Sequence, residues 1–340
     1  MKDENEAAAY HSLATELAGD REALTRSKTA YGSWRTAANA AGLEAKMAAS
    51  WQALRAVDIE LFLYEDPLYP PLLREIPHPP HAIYALGALR DTSQTTSIAI
   101  IGTRKATAEG RSLARRFGSY FARAGVSVVS GLALGIDASA HTGALEANGR
   151  TIAVLACGLD TIYPADHGSL ARKILRSGGA LISEYPPGSR PYQSRFLERN
   201  RIVSGLCKAV VVIEAPHRSG ALATARFGLE QNRDIFATPG PATHPNYAGS
   251  HRLIRSGAML VTAPEEVLLD LGLEQETRKT SDPEGPEETA VVNALKKRGK
   301  ALTIDELAAA AVLSPSEANR TLTMLILRGT VREEGGKYLL

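Results

Sequence analysis

The sequence contains little cysteine, few aromatic residues and no long hydrophobic run. Its two cysteines, Cys157 and Cys207, lie apart among apolar or small neighbours and form no CxxC pair, so we expect buried thiols and not a disulfide or metal site. Apolar runs such as residues 209–215 are far shorter than the roughly 20 residues that span a bilayer. Residues 1–20 lack the basic and apolar regions of a secretory signal. We therefore expect a cytoplasmic chain with no membrane span.

Motifs that mark several enzyme classes are also absent from the sequence. It has no GxGxxG dinucleotide fingerprint, no GxxxxGK[ST] phosphate loop, no GxSxG elbow and no HExxH zinc motif. Asp137 and His141 lie one helical turn apart and could form a catalytic dyad, but a packing or capping pair is the favoured interpretation. We expect no catalytic residue, no metal site and no cofactor.

Basic charge is concentrated in the middle of the chain. Residues 67–272 contain 22 basic and 15 acidic residues, a net charge of +7, and all but three of these basic residues are arginines. Residues 1–66 have a net charge of −4 and residues 273–340 of −1. Because the arginine guanidinium forks onto phosphate and stacks on bases, this distribution favours an anionic partner.

Short apolar runs alternate with helix-length segments from Ser97 onward. They are continuous, as in strands whose two faces are both covered, and they comprise residues 97–102, 126–131, 151–157, 180–185, 209–215, 234–240 and 259–262. This pattern predicts an α/β fold with a largely parallel sheet. The proline-rich residues 67–90 before it suit an extended lead-in segment and not a helix.

The flanking segments have a different composition from this middle region. Residues 1–66 show helical apolar spacing and predict a small helical domain. Residues 273–288 have one large apolar residue, Leu273, and are typical of a flexible linker. Residues 289–340 predict three helices and a β-hairpin that turns on Gly335 and Gly336, the arrangement of a winged helix.

Small residues and helix starts follow the predicted strands. In doubly wound folds ligands bind at the carboxyl ends of the strands, and free backbone N–H groups at a helix N-terminus attract anions. The sequence therefore predicts a phosphate-binding rim. Its segments are Gly102-Thr103-Arg104, Ser130-Gly131-Leu132, Gly158-Leu159-Asp160, Glu184-Tyr185-Pro186, Ser219-Gly220 and Pro239-Gly240.

Residues 190–201 place two aromatic residues, Tyr192 and Phe196, among four arginines. Aromatic rings beside guanidinium groups form the stacking platform and backbone clamp that single-stranded nucleic acid requires. Buried aromatic residues in a salt-bridged helix start would give the same pattern, and the segment alone does not separate these two interpretations.

Taken together, these motifs resemble the DNA-processing protein A family. The resemblance covers residues 67–272 in order, and the flanking helical and winged-helix segments agree with the family in position. The matching stretches are Tyr69-Pro70, residues 101–104, 130–137, Ala140-His141, residues 158–160, Tyr163-Pro164, residues 183–186, 199–202, Glu214-Ala215, Ser219-Gly220 and Pro239-Gly240. The sequence departs from the family's usual residues at His167, Leu197, Tyr247 and His251.

The resemblance implies an extended Rossmann domain between a SAM-like helical domain and a winged-helix domain. It further implies a homodimer that binds single-stranded DNA without sequence preference and loads the RecA recombinase onto it. Arg104 would clamp a phosphate, Phe196 would stack a base, and the amides near Gly102, Gly131 and Gly220 would hold phosphates. The other implied site residues are Thr103, Ser130, Arg195, Arg199, Asn200, Arg201 and Ser219.

Two alternative functions remain open at this point. A nucleotide-binding enzyme of the lysine-decarboxylase-like phosphoribohydrolase family would also have glycine-rich turns, but its Pro-Gly-Gly-x-Gly-Thr signature is missing, and residues 219–224 are the nearest stretch. A winged-helix transcription regulator would bind duplex DNA through residues 315–327. That segment contains one basic residue, Arg320, and strong duplex binding needs more phosphate contacts.

Overall fold

The computed structural model describes residues 3–89, 96–273, 285–298, 301–327 and 330–339. The chain divides into two compact units, Met1–Asp270 and Leu271–Leu340, and each is described by itself. No helix within the described ranges is long and apolar enough to cross a membrane.

A nine-stranded sheet forms the centre of the first unit. Its strands in chain order are β1 (Ile59–Leu63), β2 (Ala82–Gly87), β3 (Ser97–Ile101), β4 (Ser127–Ser130), β5 (Thr151–Leu155), β6 (Ala180–Ser183), β7 (Ala209–Val212), β8 (Asp234–Ala237) and β9 (Met259–Leu260). In space they follow the order β1-β2-β6-β5-β4-β3-β7-β8-β9. The seven strands from β3 to β9 are parallel to one another, whereas β2 pairs antiparallel with both β1 and β6.

The strand order reverses direction between β3 and β7. From β3 the chain builds outward through β4, β5 and β6 and then returns to place β7 on the other side of β3. Ligands of doubly wound sheets bind beyond the carboxyl ends of the strands at such a switch point. The topology therefore directs attention to the segments that follow β3 and β7.

The predicted parallel α/β sheet is confirmed, since each of the seven apolar runs contains a strand. The predicted lead-in segment, residues 67–90, is wrong in detail, because it contains a one-turn helix, Pro71–Arg74, and the strand β2. Pro71 is tolerated there since the first helical residue needs no N–H partner. The sheet also begins earlier than expected, with β1 at Ile59.

Helices cover both faces of the sheet. The helices of the first unit are α1 (Glu4–Glu16), α2 (Arg21–Tyr31), α3 (Trp34–Ala40), α4 (Glu44–Ala56), α5 (Pro71–Arg74), α6 (Ala108–Arg123), α7 (Ile136–Glu146), α8 (Gly168–Arg176), α9 (Gln193–Gly205), α10 (Gly220–Glu230), α11 (Ala248–Arg255) and α12 (Pro264–Asp270). One apolar core joins α5, α9 and α10 to the strands. A second core on the other face includes α1 to α4 and α8.

The N-terminal helices pack directly on the sheet. Tyr10 meets Trp34 edge to face with ring centroids 4.9 Å apart, and His11 Nδ1 is hydrogen-bonded to the Tyr84 hydroxyl on β2 at 3.1 Å. Leu61 of β1 belongs to the same buried cluster. These contacts make the N-terminal helices part of one compact unit with the sheet, and a domain boundary at residue 66 stays a prediction.

The second unit contains three helices and a hairpin, as predicted for a winged helix. Its elements are α13 (Pro286–Arg298), α14 (Ile304–Ala311), α15 (Pro315–Leu327), β10 (Arg332–Glu334) and β11 (Lys337–Leu339). Gly335 and Gly336 make the hairpin turn with φ of +59° and +76°, a conformation that glycine adopts without strain. Most of the predicted linker, residues 273–288, lies outside the described residues, and α13 begins within it.

Candidate nucleic-acid interface

A cavity of about 730 Å³ lies at the switch point of the sheet. Four segments line it: the loop after β3, the loop after β4 with the start of α7, helix α9, and the loop that joins β7 to α10 with the start of α10. Its wall includes nine of the twelve predicted site residues, namely Gly102, Thr103, Arg104, Gly131, Phe196, Arg199, Asn200, Ser219 and Gly220. The cavity is therefore the place where the strand-end and arginine–aromatic motifs of the sequence meet.

The loop after β3 is fixed by its backbone and presents two cations. A Cβ at Gly102 would lie 2.5 Å from Ile136 and 2.9 Å from the carbonyl oxygen of Glu214, so the close approach requires glycine. The N–H of Thr103 donates to that same Glu214 carbonyl at 2.7 Å. Arg104 and Lys105 follow with exposed side chains. Neither has an ion-pair partner among the described residues.

Beyond β7, the N-terminus of α10 faces the cavity. The Ser219 hydroxyl caps this helix by accepting from the N–H of Ala221 at 3.2 Å. Gly220, the first helical residue, is exposed. Arg218 is exposed in the same loop and lines the cavity. The positive end of the helix dipole and a guanidinium thus act on the same volume, an arrangement that attracts phosphate.

Glu214 ties the end of β7 to the start of α6. Its carboxylate is buried and accepts from the Thr107 hydroxyl at 2.5 Å, from Asn246 Nδ2 at 3.0 Å and from the Tyr247 hydroxyl at 3.1 Å. Burial alone would raise the pKa of Glu214, but these hydrogen bonds outweigh it and lower the pKa. The carboxylate therefore remains charged and anchors the loop that presents Arg104, with the unusual Tyr247 as one of its donors.

Arg199 forms part of the floor of the cavity. It is 4% exposed and donates to the carbonyl oxygen of Gly131 at 2.6 Å and to that of Val154. Burial lowers the pKa of Arg199 to about 10, against the opposing effect of Asp137, so the guanidinium is still charged at neutral pH. Arg199 thereby joins the carboxyl ends of β4 and β5.

Gly131 has a packing role at this floor. A Cβ there would lie 2.5 Å from the Arg199 guanidinium, so any larger residue would displace that buried group. Its N–H donates to Asp137 Oδ2 at 3.1 Å. This hydrogen bond conflicts with the expectation that the Gly131 amide holds a phosphate.

Asp137 and His141 do not form a dyad. Asp137 accepts from the N–H groups of Gly131 and Ala133, whereas His141 Nδ1 is hydrogen-bonded to the Thr151 hydroxyl at 2.6 Å. Burial lowers the pKa of His141 to about 3. A neutral, fully buried histidine that bonds a strand is a packing residue.

Phe196 forms one wall of the cavity. The Arg104 Cζ lies 5.2 Å from the centroid of its ring, and the ring of Tyr163 lies 5.3 Å away. Leu197, at a position where the sequence departs from the family, is 50% exposed and also lines the cavity. The start of α9 therefore presents its apolar residues to the cavity, and the buried Arg199 and Arg201 come later in the same helix.

Three predicted site residues lie outside the cavity wall. Ser130 is buried and donates to the Ile100 carbonyl at 2.6 Å. Arg201 forms a buried ion pair with Glu184 at 2.5 Å. Arg195 donates to the Ala18 carbonyl at 2.6 Å and lies over the Tyr185 ring. Their contacts position strands, helix α9 and the turn after α1, and the predicted direct contact with DNA has no support in this geometry.

Sequence reasoning missed two cations of the site. Lys105 and Arg218 both line the cavity, and each lies beside a predicted residue in the chain, after Arg104 and before Ser219. The position of a basic side chain next to a strand-end motif was the signal that could have identified them.

The doubly wound sheet, with a cationic cavity at its switch point, places the first unit in the class of Rossmann-like α/β folds, and a winged-helix unit follows it in the chain. A family model described as DNA recombination-mediator protein A matches residues 60–272, and one described as DprA winged helix domain matches residues 275–337. The chain belongs to the DNA recombination-mediator protein A family.

Individual relatives agree with this assignment. The chain is 46% identical to Protein Smf of Escherichia coli over 207 residues, which are 61% of this chain and 55% of that protein. It is 40% identical to the putative DNA processing protein DprA of Mycobacterium tuberculosis, over 77% of this chain and 69% of that one. The chain thus spans about half the length of the Smf protein that it matches.

Two solved structures share the fold. DNA processing protein A of Streptococcus pneumoniae matches with a TM-score of 0.60 and 35% identity, over 66% of this chain and 81% of that one. The corresponding Helicobacter pylori protein matches with a TM-score of 0.57 and 27% identity, over 63% and 95%. The latter structure was described for its single-stranded DNA binding mode.

Proposed function

We propose that this protein binds single-stranded DNA without sequence preference in the cavity between β3 and β7. The observation that carries the proposal is the combination, in one cavity, of three cations without ion-pair partners among the described residues and one accessible aromatic ring. Arg104, Lys105 and Arg218 take the phosphates, together with the N-terminus of α10, and Phe196 stacks a base. None of these groups selects one base over another.

The aromatic wall favours a single strand over a duplex. Stacking on Phe196 needs a base whose face is free, and a paired base in a duplex is already stacked on both sides. Helix α15 supplies no comparable cation, because its single basic residue, Arg320, is bound to Glu287 at 3.0 Å. This argues against the alternative of a winged-helix regulator that depends on α15 for duplex binding.

We propose that binding is followed by no chemistry on the DNA. The strand-end carboxylates are engaged by donors of the fold itself: Asp160 accepts from the Gly188 N–H at 2.9 Å, Glu184 pairs with Arg201, and Asp137 and Glu214 hold backbone and side-chain donors. Carboxylates with such partners hold the loops and side chains around them in place, whereas phosphoryl transfer requires carboxylates that are free to hold metal ions.

In the cell, the bound single strand would then be passed to a recombinase. In this proposal a cytoplasmic homodimer, assembled through the first unit, protects incoming single strands during transformation and loads RecA onto them. RecA filament formation on DNA coated with single-strand-binding protein should accelerate at substoichiometric protein. No acceleration would leave a passive DNA-binding protein, and a strict monomer in sedimentation would remove the homodimer.

The test of the central proposal is a salt titration of binding. The full chain is titrated with a labelled oligonucleotide as a single strand and as the matched duplex. We expect tighter binding of the single strand at every salt concentration, and weakening of both as salt rises through counterion release. Equal affinity for the two forms would contradict the proposal, and so would release of free base from a nucleoside monophosphate.

A further inference from the structure

We propose that Tyr163 is a second base-stacking residue, placed where the strand leaves the cavity. The inference rests on the proposed binding of single-stranded DNA and adds to it a subsite for the nucleotide that follows the one on Phe196. Tyr163 belongs to the Tyr163-Pro164 motif of the sequence, and neither residue of this motif lines the cavity.

The contact between the two rings carries this proposal. The ring centroids of Tyr163 and Phe196 lie 5.3 Å apart with an angle of 53° between the ring planes. Phe196 lines the cavity and Tyr163 does not, so the pair continues the aromatic surface from the cavity to the outside. Because the planes are tilted, one base cannot lie flat on both rings. Two adjacent bases, one on each ring, fit this geometry.

Tyr163 is also accessible and held by a tight loop. Its side chain is 45% exposed. The loop before it is closed by the Thr161 N–H, which donates to the Gly158 carbonyl at 3.1 Å, and by the Cys157 thiol, which donates to the Thr161 carbonyl at 3.2 Å. An exposed ring on a fixed backbone loses little conformational entropy when a base stacks on it.

Exposure alone does not single out Tyr163, since isolated surface aromatic residues are ordinary. Tyr192 is 58% exposed, but its ring contact is with Arg195, 5.1 Å from the centroid. Tyr31, at the end of α2, is 48% exposed and lies outside the cavity wall. Contact with Phe196 distinguishes Tyr163 from these two residues.

The experiment compares full-length Tyr163→Ala, Tyr163→Phe, Tyr163→Leu and Phe196→Ala, with Tyr31→Ala as the matched control of similar exposure. Each is titrated with the shortest oligothymidylate that the wild-type chain binds fully, and with versions that have one abasic nucleotide at successive positions. Tyr163→Ala should weaken binding of the intact strand by about fivefold or more. Tyr163→Phe and Tyr31→Ala should keep wild-type affinity.

The abasic series separates stacking from support of Phe196. If Tyr163 stacks its own base, the effect of Tyr163→Ala vanishes at one abasic position and that of Phe196→Ala at a neighbouring one, and Tyr163→Leu behaves like Tyr163→Ala. The inference is overturned if both effects vanish at the same position or if Tyr163→Leu binds like the wild type. If the wild-type chain bound no single strand, the proposed function would fail together with this inference. If the wild-type chain bound and the Tyr163 variants gave one of the contrary results above, only this inference would fail.

Discussion

The two units of the chain both present basic side chains, but in different surroundings. Around the cavity of the first unit, Arg104 and Arg218 are exposed without ion-pair partners among the described residues. In the second unit, Arg320 on α15 is paired with Glu287, and the exposed Lys296, Lys297 and Arg298 lie in the last turn of α13, at the negative end of that helix dipole. The comparison shows that the availability of a cation for phosphate depends on its neighbours and not on the count of basic residues.

The two units also differ in which groups lie together on their surfaces. The cavity of the first unit combines cations, a helix N-terminus and an aromatic ring. Beside these, the outward residues of the second unit include apolar side chains, with Val312 90% exposed, Met324 42% and Ile326 36%. The first unit has exposed apolar side chains too, such as Leu229 at 58% and Leu269 at 60%, so the cavity and not apolar exposure distinguishes the two units.

Separation of the units should give the largest effect on DNA binding. A fragment of residues 1–272 should bind single-stranded DNA like the full chain, and a fragment of residues 285–340 should bind none, because the cavity lies wholly in the first unit. Binding by each fragment is measured by fluorescence anisotropy. The fragment starts at residue 1 because α1 to α4 share a core with the sheet. DNA binding by residues 285–340 alone would reverse the comparison.

Mild acid should destabilise the first unit more than the second. All eight histidines lie before residue 252, and burial lowers the pKa of His11 to about 4 and of His141 to about 3. The unfolded chain gains these protons below about pH 6.5 and the folded chain does not, so stability is lost as pH falls, by roughly 2 kcal/mol per histidine at pH 5. The raised pKa of Asp137 offsets part of this loss.

Tryptophan fluorescence provides the measurement, since both tryptophans, Trp34 and Trp51, belong to the first unit. The urea midpoint of the fluorescence transition should fall between pH 7 and pH 5. The isolated second unit has no tryptophan, so its urea midpoint is followed by circular dichroism and should change less. An unchanged midpoint for the first unit would contradict the assigned burial of the two imidazoles.

Arg104→Ala should weaken single-strand binding by about 1–3 kcal/mol, the loss of one charge-assisted phosphate contact. Its side chain is exposed, so the midpoint of thermal unfolding should stay the same. Arg172→Ala, at an exposed arginine of α8 outside the cavity wall, is the matched control. An equal loss in the control would mean that general charge, and not the site, sets the affinity.

Arg320→Ala should have the smallest effect. Its ion pair with Glu287 is exposed, and such pairs contribute at most about 1 kcal/mol to stability. We expect single-strand affinity to change by less than about 0.5 kcal/mol, measured in the same titration. A loss as large as that of Arg104→Ala would give the second unit a direct part in binding.

The sheet could be predicted from the sequence because its parallel strands are buried on both faces and therefore form continuous apolar runs. The strands β1 and β2 were missed for local reasons. Ile59–Leu63 comes only two residues after a helical segment and continues its apolar spacing, and Ala82–Gly87 follows several prolines. Both pair antiparallel within the sheet, and only the folded structure shows that β6 leaves an edge for β2 to cover.

The site could be predicted only in part, because a motif identifies an arginine without its surroundings. Arg104, Arg199 and Arg201 all belong to conspicuous motifs, yet the structure exposes the first, buries the second against two carbonyl groups and pairs the third with Glu184. Such differences come from residues far apart in the chain. The sequence therefore located the cavity more accurately than it assigned the role of each side chain.

Salt dependence measured on three proteins tests the central claim most directly: the wild type, Arg104→Ala and Phe196→Ala. For a single strand the logarithm of the binding constant falls with the logarithm of salt by about 0.7 per phosphate contact. Arg104→Ala should therefore reduce the slope by about 0.7. Phe196→Ala should lose about 1–3 kcal/mol of affinity through lost stacking and keep the wild-type slope. Equal slopes in all three proteins, or undiminished affinity in Phe196→Ala, would contradict a cavity that holds phosphate with Arg104 and a base with Phe196.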